Sequence, residues 1–157
     1  MIENIYNKMK EHDFAPFKEL KLWIIISPFG GGKESLVQKV IEQFKEKYTV
    51  HQVRSEGIKS ISYMYDDKRS KLIKQLEASP LLVLVIDNNE ERVRNLINPL
   101  IKYRKTQGKL TIILSELQRD DFNTFYPDLM KFGLVTQISE DNEYINLKED
   151  VIKKYFS

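Results

Sequence analysis

The chain of 157 residues contains no cysteine, two histidines and one tryptophan. The absence of cysteine excludes a disulfide framework and thiolate metal sites, and His12 and His51 lie too far apart in sequence to indicate a metal cluster. The longest apolar runs, around Leu22–Ile26 and Leu81–Ile86, have the length of strands, and no segment is typical of a signal peptide or a membrane span. The sequence therefore predicts an ordinary single domain in the cytoplasm, with no membrane partner.

The sequence also lacks a large excess of charge of either sign, because it contains 25 basic and 23 acidic residues and its net charge is +2. That balance does not indicate nucleic-acid binding by itself. Arginine is scarce, and none follows Arg119. The last part of the sequence therefore lacks a guanidinium fork of the kind that binds phosphate charge bidentately.

What the sequence does contain is a glycine-rich loop between a strand-like and a helix-like segment, LWIIISPFGGGKESL at 22–36. This layout is typical of a phosphate-binding P-loop. Glycines let backbone N–H groups face phosphate oxygens, the following helix contributes its dipole, and the lysine adds a positive charge. The predicted nucleotide-binding positions are Ser27, Pro28, Phe29, Gly30, Gly31, Gly32, Lys33, Glu34 and Ser35.

Two positions of this loop depart from the pattern G-x-x-x-x-G-K-[ST]. Ser27 replaces the first glycine, and Glu34 replaces the hydroxyl that would bind magnesium, with Ser35 one position later. Two like charges about 4 Å apart repel by roughly 4 kcal/mol in a medium of intermediate dielectric. A Glu34 carboxylate that faced a triphosphate would therefore weaken binding, whereas one that faced solvent would suit the first turn of the helix.

A second motif, LLVLVIDNN at 81–89, is an apolar strand that ends in an acid and is typical of a Walker B element. Asp87 would hold magnesium through its water shell, although a turn or helix-cap role is the alternative. Asn88 follows, where a hydrolysing enzyme would carry a second acid, and an amide cannot take a proton. Ser115 ends another strand, where it is a candidate γ-phosphate sensor or simply the first residue of a turn.

The alternation of strands and helices predicts an α/β fold, a three-layer P-loop NTPase-like parallel sheet of about five strands flanked by helices. Residues 1–157 are expected to form one domain, with an N-terminal helix within 1–17 that ends near Asp13–Pro16, and no separate lid. Ile58–Tyr65 is ambiguous, Pro99 predicts a kink or break, and Asp120–Lys131 predicts a helix or broken helix. The predicted strands are Lys21–Ile26, Tyr48–Arg54, Pro80–Asp87, Lys109–Ser115, Leu134–Ser139 and Tyr144–Leu147, followed by a helix over Lys148–Phe156.

These motifs resemble those of the AAA+ proteins of bacterial DNA replication, above all the initiator and helicase-loader group of DnaA, DnaC/DnaI and IstB. The resemblance rests on IIISPFGGGKESL, LLVLVIDNN and NLINPLIKYRKTQGKLTIILSEL, and covers about 22–147. The delta-type subunit of clamp loaders is a second similar group.

The resemblance implies ATP or ADP with magnesium, side-by-side assembly, and contact with single-stranded DNA or a replicative helicase. Lys33, Asp87 and Ser115 match the family motifs, whereas the first P-loop glycine, the magnesium hydroxyl, the second acid and the arginine finger do not. It therefore implies a partly degenerate domain acting as helicase loader, initiator regulator or clamp-loader-like subunit through protein partners.

Two other functions remain open from the sequence. A small active P-loop NTPase or kinase would share this size and loop, but those enzymes need an arginine-rich lid. A nucleotide-free interaction module on the same fold is the other. For DNA contact, one helix has a cationic face of Arg92, Arg94, Lys102, Arg104 and Lys105, for which an ordinary solvated helix surface is the alternative. Neighbouring aromatic residues could stack on bases, but Phe122 and Phe125 are expected to belong to the core.

Overall fold

The computed structural model describes residues 2–27, 33–138 and 143–146. The strands are β1 (Leu22–Ile26), β2 (Val50–Arg54), β3 (Leu81–Ile86), β4 (Leu110–Ser115), β5 (Leu134–Ile138) and β6 (Glu143–Asn146). The helices are α1 (Ile2–Glu11), α2 (Ala15–Leu20), α3 (Lys33–Phe44), α4 (Ser55–Ser62), α5 (Asp66–Ala78), α6 (Glu91–Thr106), α7 (Arg119–Phe125) and α8 (Pro127–Phe132). The helix predicted over Lys148–Phe156 lies outside the described residues.

The six strands form one sheet in the order β2-β3-β4-β1-β5-β6. The first five strands of the chain run parallel, and β6 is antiparallel to β5. The predicted parallel sheet of about five strands flanked by helices is confirmed, and the short strand predicted near Tyr144 is the antiparallel β6. Because parallel strands all point the same way, their carboxyl ends meet at one edge of the sheet.

The sheet separates two cores, as expected for strands that are apolar on both faces. One core packs Trp23, Ile25 and Val83 against α1, α2 and α3. The other packs Ile24 and Leu84 against α4, α5, α6, α7 and α8. This gives the predicted three layers, with β1, β3 and β4 almost wholly buried in the middle. In the described part of the chain, no helix is both long and apolar enough to cross a bilayer.

The predicted N-terminal helix is present as α1, which ends at Glu11, close to the end predicted near Asp13–Pro16, and a second helix that was not predicted, α2, follows. Asp13 and Phe14 take left-handed backbone angles, with φ values of 51° and 56°. Phe14 is buried, and its ring packs against Phe44 with a centroid distance of 5.3 Å. Pro16 then lies in the first turn of α2, where proline is tolerated. Burial of Phe14 therefore stabilises the left-handed turn between α1 and α2, which helical periodicity does not predict.

The other uncertain segments are helical. The ambiguous stretch from Ile58 belongs to α4, and the segment after Asp120 is a broken helix, α7 and α8. Pro99 was predicted to cause a kink or a break, and the break is not present, because α6 continues through this residue. Buried α6 residues on either side of Pro99 hold the helix against the sheet, Ile97 before it and Leu100 after it. Tertiary packing here outweighs the local cost of proline.

Tyr126, at the junction of α7 and α8, is fully buried, and its hydroxyl has no hydrogen-bond partner among the described residues. Since a buried unpaired hydroxyl is destabilising, we expect Tyr126→Phe to raise the free energy of unfolding by about 1 kcal/mol at neutral pH. Burial raises the pKa of Tyr126 to about 12, against a smaller lowering by the charge of Arg94. The unfolded state therefore loses this proton first, and stability falls between about pH 10 and pH 12.

Urea denaturation of the native protein and Tyr126→Phe across this pH range checks the prediction, with Tyr65→Phe as the control because Tyr65 is 92% exposed. The alkaline decline should be shallower only in Tyr126→Phe. A variant less stable than the native protein at pH 7 would contradict the expectation.

Candidate nucleotide site at the carboxyl edge of the sheet

The glycine-rich loop leaves the sheet at the carboxyl end of β1. Ser27 is buried, and its N–H donates to the Ser115 carbonyl at 3.0 Å. Pro28–Gly32 lie outside the described residues, and α3 begins at Lys33. The strand and the helix that flank the predicted P-loop are therefore both present. The phosphate-binding roles of Phe29, Gly30, Gly31, Gly32, Lys33 and Glu34 stay predictions. Ser35 is exposed on the first turn of α3.

The parallel register brings the other predicted residues to the same edge. Ser115 pairs in register with Ile26 of β1 on one side and with Ile86 of β3 on the other. Asp87 follows Ile86 directly, so it lies at the end of the strand next to the one that ends in Ser115. Ser27, Asp87 and Ser115 therefore lie at one edge of the sheet, as their positions in the sequence predict.

Asp87 is held by a residue that the sequence analysis did not identify, Ser55. The buried Ser55 hydroxyl, in the first residue of α4, donates to Asp87 Oδ1. The Ser55 hydroxyl oxygen in turn accepts the backbone N–H of Asp87 at 3.3 Å and the side-chain amide of Asn88 at 3.4 Å. A signal was present, because Ser55 directly follows a predicted strand and therefore lies at this same edge.

The residues after Asp87 close the turn around this network. Asn88 Nδ2 also lies 3.4 Å from Asp87 Oδ1, and Asn88 Oδ1 accepts the N–H of Glu90 at 3.2 Å. Glu90 pairs with Lys59 of α4 at 3.1 Å, and this hydrogen bond is the main reason why the pKa of Lys59 is raised. The nearest acid after Asn88 is thus engaged with a lysine, and α4 is fastened to the β3–α6 turn at two points.

Ser115 is fully buried and closes its own turn. Its hydroxyl oxygen accepts the N–H of Leu117 at 3.1 Å and lies 3.4 Å from the Leu117 carbonyl. This is the local hydrogen bonding of a serine that starts a turn. A contact between Ser115 and γ-phosphate stays a prediction, and such a contact would have to reorganise this turn.

A groove of about 380 Å³ lies between α3 and the carboxyl ends of the neighbouring strands. Gln38 of α3, Gln52 and Arg54 of β2 and Val85 of β3 contribute to its walls. Val85 is only half-buried although it belongs to an interior strand, so α3 leaves part of the sheet uncovered here. The groove gives room for a ligand beside the helix that follows the predicted P-loop.

The fit of magnesium can be judged from the chemistry of the donors. Asp87 offers one exposed carboxylate, which suits an ion that keeps most of its waters. The described residues contain no group of three His, Cys, Asp or Glu side chains that could hold a metal directly. The residues present therefore fit magnesium carried in by a nucleotide, and Asp87 is the side chain that would hold its water shell.

The three arginines of the predicted cationic face do not share one environment. Arg92 stacks over the exposed ring of Tyr63 at 4.2 Å. Arg94 lies 4.4 Å over the ring of Phe125 and donates to the Asn89 carbonyl at 2.7 Å. Arg104 is fully buried on the other side of α6, so its predicted place on an exposed cationic face is wrong.

The aromatic residues near these arginines also divide into two groups. Tyr63, Tyr65 and Tyr103 are exposed, whereas Phe122 and Tyr126 are fully buried. Phe122 and Tyr126 belong to the core, and Phe125 is partly buried against it. The surface next to Arg92 therefore offers one exposed tyrosine ring, that of Tyr63.

Together, the parallel sheet, the loop that follows β1 and the acid that follows β3 define an α/β domain of the P-loop NTPase type. Within that class, the fold is similar to that of the solved DnaA and DnaI structures. The chain is similar to the replication initiator DnaA bound to AMPPCP and single-stranded DNA, at 18% identity and a TM-score of 0.70 over 98% of this chain and 58% of that one.

It is also similar to AMPPCP-bound DnaA from Aquifex aeolicus, at 17% identity and a TM-score of 0.57 over 85% of this chain and 48% of that one. For DnaI, the identity is 15% and the TM-score 0.58 over 75% of this chain and 69% of that one. The chain thus spans about half the length of the DnaA chains that it matches. No protein-family model matches the sequence, and no curated protein does.

Proposed function

We propose that this chain is a partly degenerate AAA+ domain that acts in DNA replication through protein partners. Its partners would be a replicative helicase, an initiator or a clamp-loader subunit, toward which it serves as loader or regulator. It binds ATP or ADP with magnesium weakly or not at all, and hydrolysis is not its main activity. The observation that carries the proposal is the similarity of fold to DnaA over 98% of the chain, combined with an amide, Asn88, after the strand-end acid.

The chemistry of the carboxyl edge supports weak turnover. Asn88 cannot act as the base that activates water, and Glu90 is paired with Lys59. No arginine follows Arg119, so this chain offers no guanidinium from the region before β5, where Lys131 is the nearby cation. The positions that would accelerate phosphoryl transfer are therefore replaced or occupied by other contacts.

The nucleotide part of the proposal is tested by thermal unfolding with magnesium and ATP. A ligand at about 10 times its dissociation constant adds about 1.4 kcal/mol, which raises the melting temperature by about 3–5 °C for a domain of this size. We expect at most this shift at 10 mM ATP, and its loss in Lys33→Ala. Lys45→Ala is the matched control, because Lys45 is exposed on the loop after α3 and pairs only with Glu42 among the described residues.

The partner is tested separately with purified replicative helicase and initiator from the same cell, by size-exclusion chromatography with and without ATP. We expect a complex with one of them that persists in Lys33→Ala. Phosphate release well above that of Lys33→Ala would instead favour an active NTPase or kinase. Absence of a complex with either protein would contradict the replication role.

A further inference from the structure

A second candidate ligand site lies at the opposite, amino-terminal edge of the sheet. A cavity of about 290 Å³ opens there, close to the lower limit for small-ligand pockets. We name it the amino-edge cavity. Its lining residues are Lys18, Lys21, Tyr48, Pro80, Gly108, Lys109 and Leu110. Lys21, Pro80 and Lys109 each come directly before a strand, so the cavity lies about one strand length, roughly 16 Å, from the predicted P-loop.

The charge of this cavity is positive and poorly compensated. Three lysines line it, and no acidic side chain does so among the described residues. Lys18 pairs with Asp13 at 3.1 Å, but Lys21 and Lys109 form no ion pair within the described part of the chain. Tyr48 adds a phenol hydroxyl, and its ring packs on Phe44 at a centroid distance of 5.5 Å. Residues that carry ammonium and hydroxyl donors therefore line a partly apolar cavity.

The backbone at Lys21 gives independent support. Lys21 ends α2 in a left-handed conformation with a φ of 67°, and its N–H donates to the Phe17 carbonyl at 2.7 Å. Glycine is the residue that adopts this helix-ending conformation without strain. A lysine here therefore carries a conformational cost that its side chain must offset elsewhere. Strained residues of this kind cluster at ligand sites.

Lys109 is placed by a second left-handed residue. Gly108 has a φ of 71°, and the turn that it makes returns the chain from α6 to β4. The N–H of Lys109 donates to the Arg104 carbonyl at 2.9 Å, which fixes the start of the strand. The two lysines without ion pairs are therefore held by ordered backbone on either side of the cavity.

We propose that the amino-edge cavity binds a small phosphate-bearing anion, such as a phosphate monoester or a diphosphate. Lysine ammonium groups bind phosphate as point charges, and the cavity is large enough for a diphosphate with a small organic group. This site is separate from the predicted nucleotide site and does not depend on the proposed function.

The test is a titration with inorganic pyrophosphate followed by ¹H–¹⁵N NMR at constant ionic strength. It uses the Lys33→Ala protein, so that the P-loop cannot account for binding. We expect saturable shifts at the amides of Lys21, Gly108 and Lys109, which sodium chloride of the same ionic strength does not produce. Lys21→Gly should weaken binding about tenfold, and Lys71→Ala, which removes an exposed lysine of α5, should leave it unchanged.

Lys21→Gly separates binding from folding, because glycine suits the left-handed backbone. Its melting temperature should therefore equal or exceed that of the parent protein. Equal binding by the parent and Lys21→Gly, or shifts that sodium chloride reproduces, would overturn the proposal. Shifts at these amides with a short oligothymidylate but none with pyrophosphate would also overturn the proposal. The site would then bind a nucleic-acid backbone and not a small anion.

Discussion

Replacing Arg104 by methionine is expected to lower the free energy of unfolding by about 4 kcal/mol. The buried guanidinium donates to the carbonyls of Leu76, Ser79 and Leu110 at the end of α5 and the start of β4, and to Thr111 Oγ1 at 2.9 Å. Burial lowers the pKa of Arg104 to about 10, so the group is still charged at neutral pH. Methionine would fill similar space but leave several buried acceptors unpaired, each at a cost of about 1–3 kcal/mol.

Urea denaturation at pH 7 measures this loss. Lys102→Met is the matched control, because Lys102 lies half a turn away on the exposed side of α6 and pairs with Asp128 at the surface. Arg104→Lys should fall between the native protein and Arg104→Met, since an ammonium group cannot reach all these acceptors at once. A loss below about 1 kcal/mol in Arg104→Met would show that water replaces the guanidinium.

Arg104 was predicted to lie on an exposed face of α6 but is buried, and the sequence contains part of the evidence for its burial. Arg104 stands in the run Lys102–Lys105, which is typical of a solvated helix surface. It also continues the buried stripe of α6 through Val93, Ile97 and Leu100, at spacings of three and four residues. Periodicity therefore places Arg104 on the buried face, but only the carbonyls of α5 and β4 make a buried charge tolerable there. Those carbonyls belong to other elements of the fold, so the contacts cannot be inferred from the sequence of α6 alone.

The fold was largely predictable because its main strands are buried on both faces. β3 and β4 are nearly continuous apolar runs, and their length separates them from helices. The end of α1 near Asp13 was predicted, but the left-handed backbone at Phe14 was not. It depends on Phe14 leaving the helical conformation so that its ring can pack on Phe44, which is a contact between distant parts of the chain.

The candidate site was predictable to the extent that strand ends define it. Asp87 and Ser115 follow apolar strands, and parallel strands bring their carboxyl ends together. The hydrogen bond between Ser55 and Asp87 was not predictable in the same way, since the two residues are 32 positions apart and a serine at the start of a helix needs no partner. This contact gives Asp87 a structural role that does not depend on magnesium.

A double-mutant cycle with Ser55→Ala and Asp87→Asn measures this structural role. We expect each single change to lower the free energy of unfolding by about 1–2 kcal/mol, because a charge-assisted hydrogen bond at the buried Ser55 hydroxyl is lost or weakened. The double variant should lose little more than either single one, which leaves a coupling energy of about 1–2 kcal/mol. Glu56→Ala, at an exposed position next to Ser55, is the control. Strictly additive losses would contradict a direct contact.

The same variants separate the two roles of Asp87 when ATP is titrated with and without magnesium. Ser55→Ala removes the hydroxyl but keeps the carboxylate free to hold the water shell of magnesium, so nucleotide affinity should be unchanged or higher. Asp87→Asn removes the negative charge, so the contribution of magnesium to affinity should disappear. If both variants lose affinity equally, the turn that Ser55 and Asp87 form together is what the nucleotide requires. If neither variant loses nucleotide affinity, Asp87 serves only to fasten α4 to the sheet.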